Sequence, residues 1–224
     1  MTSGIAIERI KQRLQKQDTN FNSNFLDEEF EDALNKGVNG FIRRQHHGFN
    51  QHKEGDEQSE QRVDDLQILL TDKKISVIEK DGFVETYKIP ADYRYYKRLT
   101  PIVSKDSCEK VNIKSYFVEE SNVDDYMKDW TFKPSFDFEE TFHTMLSNKF
   151  RIYHNNDFKV EEAILTYYRN PLKISCLKRD YDKVWEWKDD VAELIIDEAV
   201  KILAGDTENV NAYEIANKKI EEDN

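Results

Sequence analysis

Glycine is scarce in this chain, 7 residues in 224, and that scarcity removes a class of functions at once. A phosphate-binding loop needs several glycines in a short stretch so that backbone N–H groups can close around the anion. No such stretch is present, and neither is a Gly-x-Ser-x-Gly nucleophile elbow. Cysteine is scarcer still. Cys108 and Cys176 stand far apart, with no spacing suited to a disulfide or a metal, so both read as free thiols of a reducing compartment. Neither lies in a nucleophile context. The longest apolar runs fall well short of the about eighteen residues that would cross a bilayer. The opening MTSGIAIERIKQ turns charged too early for a secretory signal. A soluble protein made in the cytoplasm, with no membrane partner, is the expectation.

What is abundant is charge and aromatic surface. Acidic residues number 45 against 33 basic ones, a net charge of -12, which repels phosphate backbones. The nearest approach to a basic patch is Arg94, Lys97 and Arg98, interleaved with Tyr93, Tyr95 and Tyr96. Such a mixture can grip single strands, although exposed charges on an edge strand account for it more simply. The 13 Phe, 11 Tyr and 3 Trp are spread through the sequence, and a disordered chain lacks them. The chain folds.

The periodicity predicts an α+β fold. Ile7, Ile10 and Leu14 repeat at helical spacing in residues 5–17. A second stripe runs through Leu26, Phe30, Ala33, Leu34, Val38, Phe41 and Ile42, with acids in its first turn and Arg43 and Arg44 near its end. Gly37 and Gly40 within it each cost about 1 kcal/mol relative to Ala, which points to a loose helix or to close approach by a neighbouring backbone. Residues 45–60 read as an exposed loop. From about residue 73 the pattern alternates, with Asp81-Gly82 as a tight hairpin turn. Asn155-Asn156-Asp157 reads as a second hairpin turn, between FRIYH and FKVEEAILTYYRN. Helical spacing returns through Trp187, Val191, Leu194, Ile195 and Ile202, with Gly205 as its stop. The expected organisation is a helical bundle from residues 1–72 and 183–224. Residues 73–182 would form an inserted antiparallel β-sheet or small β-barrel, with an extended aromatic arm around 120–145.

Candidate sites are few. His46, His47 and His52, followed by Glu54 and Asp56, have the donor types for a divalent ion, but their spacing fits no closed site. A solvated loop is the better account, and no metal or cofactor is expected. Asp124, Asp125 and Asp129 near Trp130 resemble a hydrolytic carboxylate pair only as chance does in so acidic a chain. The stretch WTFKPSFDFEETF carries Trp130, Phe132, Phe136, Phe138 and Phe142 at mostly even spacing around Pro134. It is either a buried strand or an arm that docks its rings on a neighbour. No catalytic set emerges.

Several segments together carry a resemblance: LDEEFEDALNKGVNGFIRRQ, DDLQILL, YKIPADYRYY, FRIYHNNDFKVEEAILTYYRNPLKIS and LIIDEAVKILAG. Over most of its length the chain resembles virion structural proteins of short-tailed bacteriophages of the crAss-like group, in particular neck or head–tail connector subunits. The resemblance implies a non-enzymatic virion protein, assembled in about twelve copies as a ring between portal and tail. It also implies neighbouring ring proteins as partners, and a lumen that passes DNA without sequence-specific contact. An acidic wall suits that lumen. The ring interface would draw on the helical faces (Ile7, Ile10, Leu14, Phe30, Phe41, Trp185, Trp187) and on the arm (Trp130, Phe132, Phe136, Phe138). The competing expectation is an acidic regulatory module that captures a basic partner.

Overall fold

The computed structural model describes residues 1–15, 25–47, 64–105, 109–206 and 214–218. The chain divides after Ile68, a few residues before the sequence pattern begins to alternate. One compact unit comprises Met1–Ile68 with Pro171–Asn224, the other Leu69–Asn170.

Three long helices among the described residues organise the first unit, α1 (Ser3–Gln15), α2 (Asp27–His47) and α4 (Asp189–Asp206). Apolar residues at three- and four-residue spacing bury one stripe of each. α1 contributes Ile7, Ile10 and Leu14, α2 contributes Phe30, Leu34 and Phe41, and α4 contributes Val191, Ile195 and Ile196. Both α1 and α2 pack chiefly against α4. The contact between α2 and α4 is close because Gly37 has no side chain: a Cβ there would stand 2.9 Å from the Ile195 carbonyl oxygen. Gly40 faces open space. Charge completes the packing. Arg13 donates to Asp197 Oδ1 at 2.7 Å and also reaches Glu193, and Arg44 pairs with Glu198.

The irregular segment 171–188 is tied to α2 by a reciprocal amide contact. Asn35 Nδ2 donates to the Ile174 carbonyl at 2.9 Å, and the Ile174 N–H donates back to Asn35 Oδ1 at 3.0 Å. Trp187 closes on Phe41 edge to face at 5.8 Å, and Trp185 Nε1 donates to Ser3 Oγ at 3.0 Å.

The second unit is a single eight-stranded sheet. Its strands are β1 (Leu70–Glu79), β2 (Phe83–Thr86), β3 (Tyr93–Ser104), β4 (Val111–Asn112), β5 (Lys114–Phe117), β6 (Glu140–Leu146), β7 (Lys149–Tyr153) and β8 (Lys159–Arg169). In space they run β4-β3-β8-β1-β2-β7-β6-β5. The two edges, β4 and β5, are separated in the chain by the single residue Ile113, which is buried and donates to the Pro101 carbonyl at 3.1 Å. The sheet therefore almost closes on itself as a barrel, a shape that shelters edges. Its interior holds Val84, Leu99, Val103, Phe150, Ile152, Leu165 and Tyr167.

The expected fold, a helical bundle carrying a small antiparallel insert, is overturned. The chain is a mixed α/β protein whose dominant element is this large, nearly closed sheet. The sheet is not wholly antiparallel, because β5 pairs with β6 in parallel. Parallel neighbours require a crossover, and residues 118–139 supply it through a helical turn (Glu120–Asn122), the short α3 (Val123–Lys128) and a series of turns. The region read as an extended arm is this crossover. The second expected hairpin also fails. Asn155 and Asn156 do turn the chain, with φ of 46° and 57°, but β7 and β8 on either side of them are separated by β1 and β2. The Asp81-Gly82 hairpin is present, with Gly82 at φ 79° and the Lys80 N–H donating to the Phe83 carbonyl at 2.9 Å.

Candidate interaction surface

The crossover turns three aromatic rings outward. Trp130 is 82% exposed, Phe138 71% and Phe132 55%, on a segment whose backbone is firmly fixed. Asp129 begins the turn: its carbonyl accepts the Phe132 and Lys133 N–H groups, and its Oδ1 accepts the Thr131 N–H at 2.8 Å. Pro134 has no N–H to continue that pattern. Ser135 and Glu140 then exchange two backbone bonds, 3.0 and 3.2 Å, which return the chain to β6.

Asp157 pins the same segment from the other side. Its Oδ2 accepts the Phe136 N–H at 2.8 Å, and its Oδ1 accepts Lys105 Nζ at 2.7 Å. Burial opposes ionisation of Asp157, but the bonds from Lys105 and Phe136 and the fields of Lys105 and Lys133 outweigh it and hold the carboxyl below its ordinary range. Phe136 itself packs half-buried against the barrel core.

One of the exposed rings, Phe132, connects inward. Phe132 lies 5.2 Å from Tyr126, Tyr126 lies 5.5 Å from Phe142, and Phe142 stacks on Tyr153 at 4.8 Å. An aromatic anchor held in this way loses little conformational freedom when a partner covers it. Along the sequence, Lys128 and Lys133 stand among Asp129, Asp137 and Glu139 beside the rings, polar neighbours of mixed sign.

The other nominated residues lie elsewhere. Ile7, Ile10, Leu14, Phe30, Phe41, Trp185 and Trp187 are all buried within the chain's own helical unit. Their apolar faces are covered, so they are core residues, not an open interface. His46 is exposed in the last turn of α2 and His47 ends that helix, while His52, Glu54, Asp56 and Cys108 lie outside the described residues. Among the described residues no three His, Cys, Asp or Glu side chains converge as a metal site would require. Asp124 and Asp125 are exposed on α3, and Asp129 is engaged in its turn. In β3, Tyr93 and Tyr96 lean on the core while Lys97 and Arg98 stay exposed.

One polar pair escaped the sequence reading. Ser115 Oγ lies 2.6 Å from His143 Nδ1, a serine–histidine contact, although a hydrolase base meets its nucleophile through Nε2 and uses Nδ1 for its orienting carboxylate. His143 is fully buried between Tyr96, Phe117 and Phe150, at ring distances of 5.4, 5.7 and 5.8 Å. That burial drives its pKa down to about 3, far too low for a useful base near neutrality. The pair pins β5 to β6 instead. It was hidden because Ser115 and His143 are 28 residues apart and meet only through the parallel pairing.

No protein-family model matches the chain, and no curated protein matches its sequence.

Proposed function

We propose that this chain is a structural subunit of an oligomeric ring in the neck of a tailed-bacteriophage virion, joining portal to tail around a channel for DNA. The reading rests on the resemblance of its sequence segments. The single structural observation that carries it is the exposed aromatic set Trp130, Phe132 and Phe138 on a hydrogen-bonded turn. Such rings are costly to leave in water and are typical anchors of protein interfaces. A closed ring needs two different patches that meet head to tail. The aromatic crossover supplies one of them, and the covered helical faces do not supply the other. The net charge of -12 suits a wall past which DNA slides without adhering.

The test is assembly with the cognate portal protein, followed by native mass spectrometry and negative-stain microscopy. The wild-type chain is expected to add as a closed ring of about twelve copies. The triple variant Trp130→Ser, Phe132→Ser, Phe138→Ser is expected to stay folded and unattached. A wild-type chain that stays monomeric beside portal while binding basic proteins in a salt-sensitive way would replace this reading with that of an acidic capture module. Rings formed equally well by the triple variant would remove the aromatic set from the interface.

A further inference from the structure

β1 has two neighbours, but one of its edges is used only near its end. Leu70–Ser76 pair with β8 on one side, whereas pairing with β2 on the other side covers only Val77–Glu79. The last bond toward β2 runs from the Tyr87 N–H to the Ser76 carbonyl at 2.9 Å. Backbone groups alternate in direction along a strand. With the Ser76 carbonyl aimed at the β2 side and no register shift in 70–76, the N–H and C=O groups of Lys74 and Asp72 aim the same way. Beyond Tyr87 the chain swings away from β1 and leaves a groove of about 300 Å3 beside this edge. Among the described residues no strand occupies it.

The groove has a chemical character of its own. Buried Ile75 and Ile89 lie along it, and Tyr87 stands beside it, 67% exposed. Lys73, Lys74 and Lys88 line it with no acidic side chain among the lining residues, and Asp72, next along the edge, is the one acid of the Asp72–Lys74 segment. Lys74 reaches Glu162 at 3.4 Å across an exposed pair, while Lys73 and Lys88 have no carboxylate partner among the described residues. In a chain of net charge -12, this is a local reversal of sign.

We propose that the open edge of β1 at Asp72–Lys74, with the lysine-lined groove beside it, is a strand-addition site for an extended peptide segment bearing carboxylates. The unused backbone donors and acceptors favour a peptide, which offers the complementary alternation, over a nucleic acid, which does not. The lysines select for acid in that peptide, and the apolar floor receives every second side chain. Lysines on a bare edge can also serve only to repel other strands. A guard of that kind needs neither a groove nor an apolar floor.

The probe is a short fluorescein-labelled peptide in which Glu alternates with Val, followed by fluorescence anisotropy on the full chain. Binding is expected, weakened by salt and roughly tenfold weaker with Lys73→Glu, Lys88→Glu, which should favour the matching Lys–Val peptide instead. Circular dichroism confirms that this exposed double variant stays folded. Two further peptides, N-methylated on alternate residues in opposite phase, separate strand addition from charge alone. One phase should bind and the other should not. Equal binding of both phases, or oligo-dT binding with the same lysine dependence, reduces the groove to a cationic patch and overturns the proposal. Failure of the Glu–Val peptide to bind marks the lysines as edge guards and does the same. Self-association that needs Lys73 and Lys88 but is insensitive to the peptide would assign the groove to a second copy, again overturning it. None of these outcomes depends on ring formation.

Discussion

The side chain of Asp157, in the turn before β8, accepts the backbone N–H of Phe136 in the crossover at 2.8 Å. Lys105 Nζ holds the second oxygen of the same carboxylate at 2.7 Å. A single acid thus fixes the base of the exposed aromatic turn. Replacement by Asn keeps the shape but removes the charge that both donors address. Asp157→Asn should cost about 1–2 kcal/mol, the scale of a charge-assisted bond at a partly exposed site. The ionised form is favoured in the folded state, so this contribution is present above the ordinary aspartate value and is lost as pH falls through the lower folded one. Thermal midpoints measured from neutral pH downward should show the wild type losing an increment in acid that Asp157→Asn never had. Identical profiles for the two proteins would show that the turn is held without this charge.

Two glycines in α2 that look alike in sequence should respond in opposite directions. At Gly37 an added Cβ meets the Ile195 carbonyl oxygen at 2.9 Å and Glu198 Cβ at 3.3 Å, so α2 and α4 must separate. Overpacking of this kind costs about 1–3 kcal/mol, more than the about 1 kcal/mol gained in helix propensity. Gly40 has nothing within 4 Å, so Gly40→Ala keeps the propensity gain. Urea denaturation should place Gly37→Ala below the wild type and Gly40→Ala above it. A stabilised Gly37→Ala would mean that α2 and α4 are not in close contact in solution.

These residues also show how far the sequence was legible. The stripes of α1, α2 and α4 could be read because helical spacing is a local signal, as was the Asp81-Gly82 turn. Strand order could not be read, because nothing local states which strand lies beside which. Asn155 and Asn156 have the chemistry of a hairpin turn yet join strands that two others separate. The hairpin that does form there, β6–β7, turns on Ser147 and Asn148 at φ 49° and 58°, a pair with a weaker sequence signature. The parallel β5–β6 pair was the largest omission, and it changed the aromatic stretch from an extended arm into a crossover. That stretch also mixes fates along one run, with Phe142 buried beneath the crossover against Tyr126 and Tyr153, Phe136 half-buried against the barrel core, and Trp130, Phe132 and Phe138 out. Even spacing cannot sort them, since turns set their directions.

Neutral His143 gives the barrel a second acid sensitivity. Burial lowers its pKa to about 3 from an ordinary 6.5, so between those values the unfolded chain takes up a proton that the folded chain refuses. Its contribution is therefore complete above pH 6.5 and declines as pH falls toward 3, by up to about 1.4 kcal/mol per unit. His143→Phe fills the same aromatic surroundings without a titrating group. Its stability should decline less than that of the wild type between pH 6.5 and 4, whatever the offset at pH 7 from the unpaired Ser115. Parallel declines would place the acid sensitivity in other groups.

The aromatic residues should divide by their effect on stability. Trp187 lies in the helical core against Phe41, and Trp187→Ala should cost about 3–5 kcal/mol. Trp130 and Phe138 cover little of the chain itself, so Trp130→Ser and Phe138→Ser should each stay within about 0.5 kcal/mol of the wild type. Phe132 lies between these cases, because it gives up its 5.2 Å contact with Tyr126. Chemical denaturation of the four single variants measures the division directly. A loss above about 2 kcal/mol at Trp130 or Phe138 would mean that the ring is part of the fold, because surface residues without structural work tolerate truncation. It would then not be surface held for a partner.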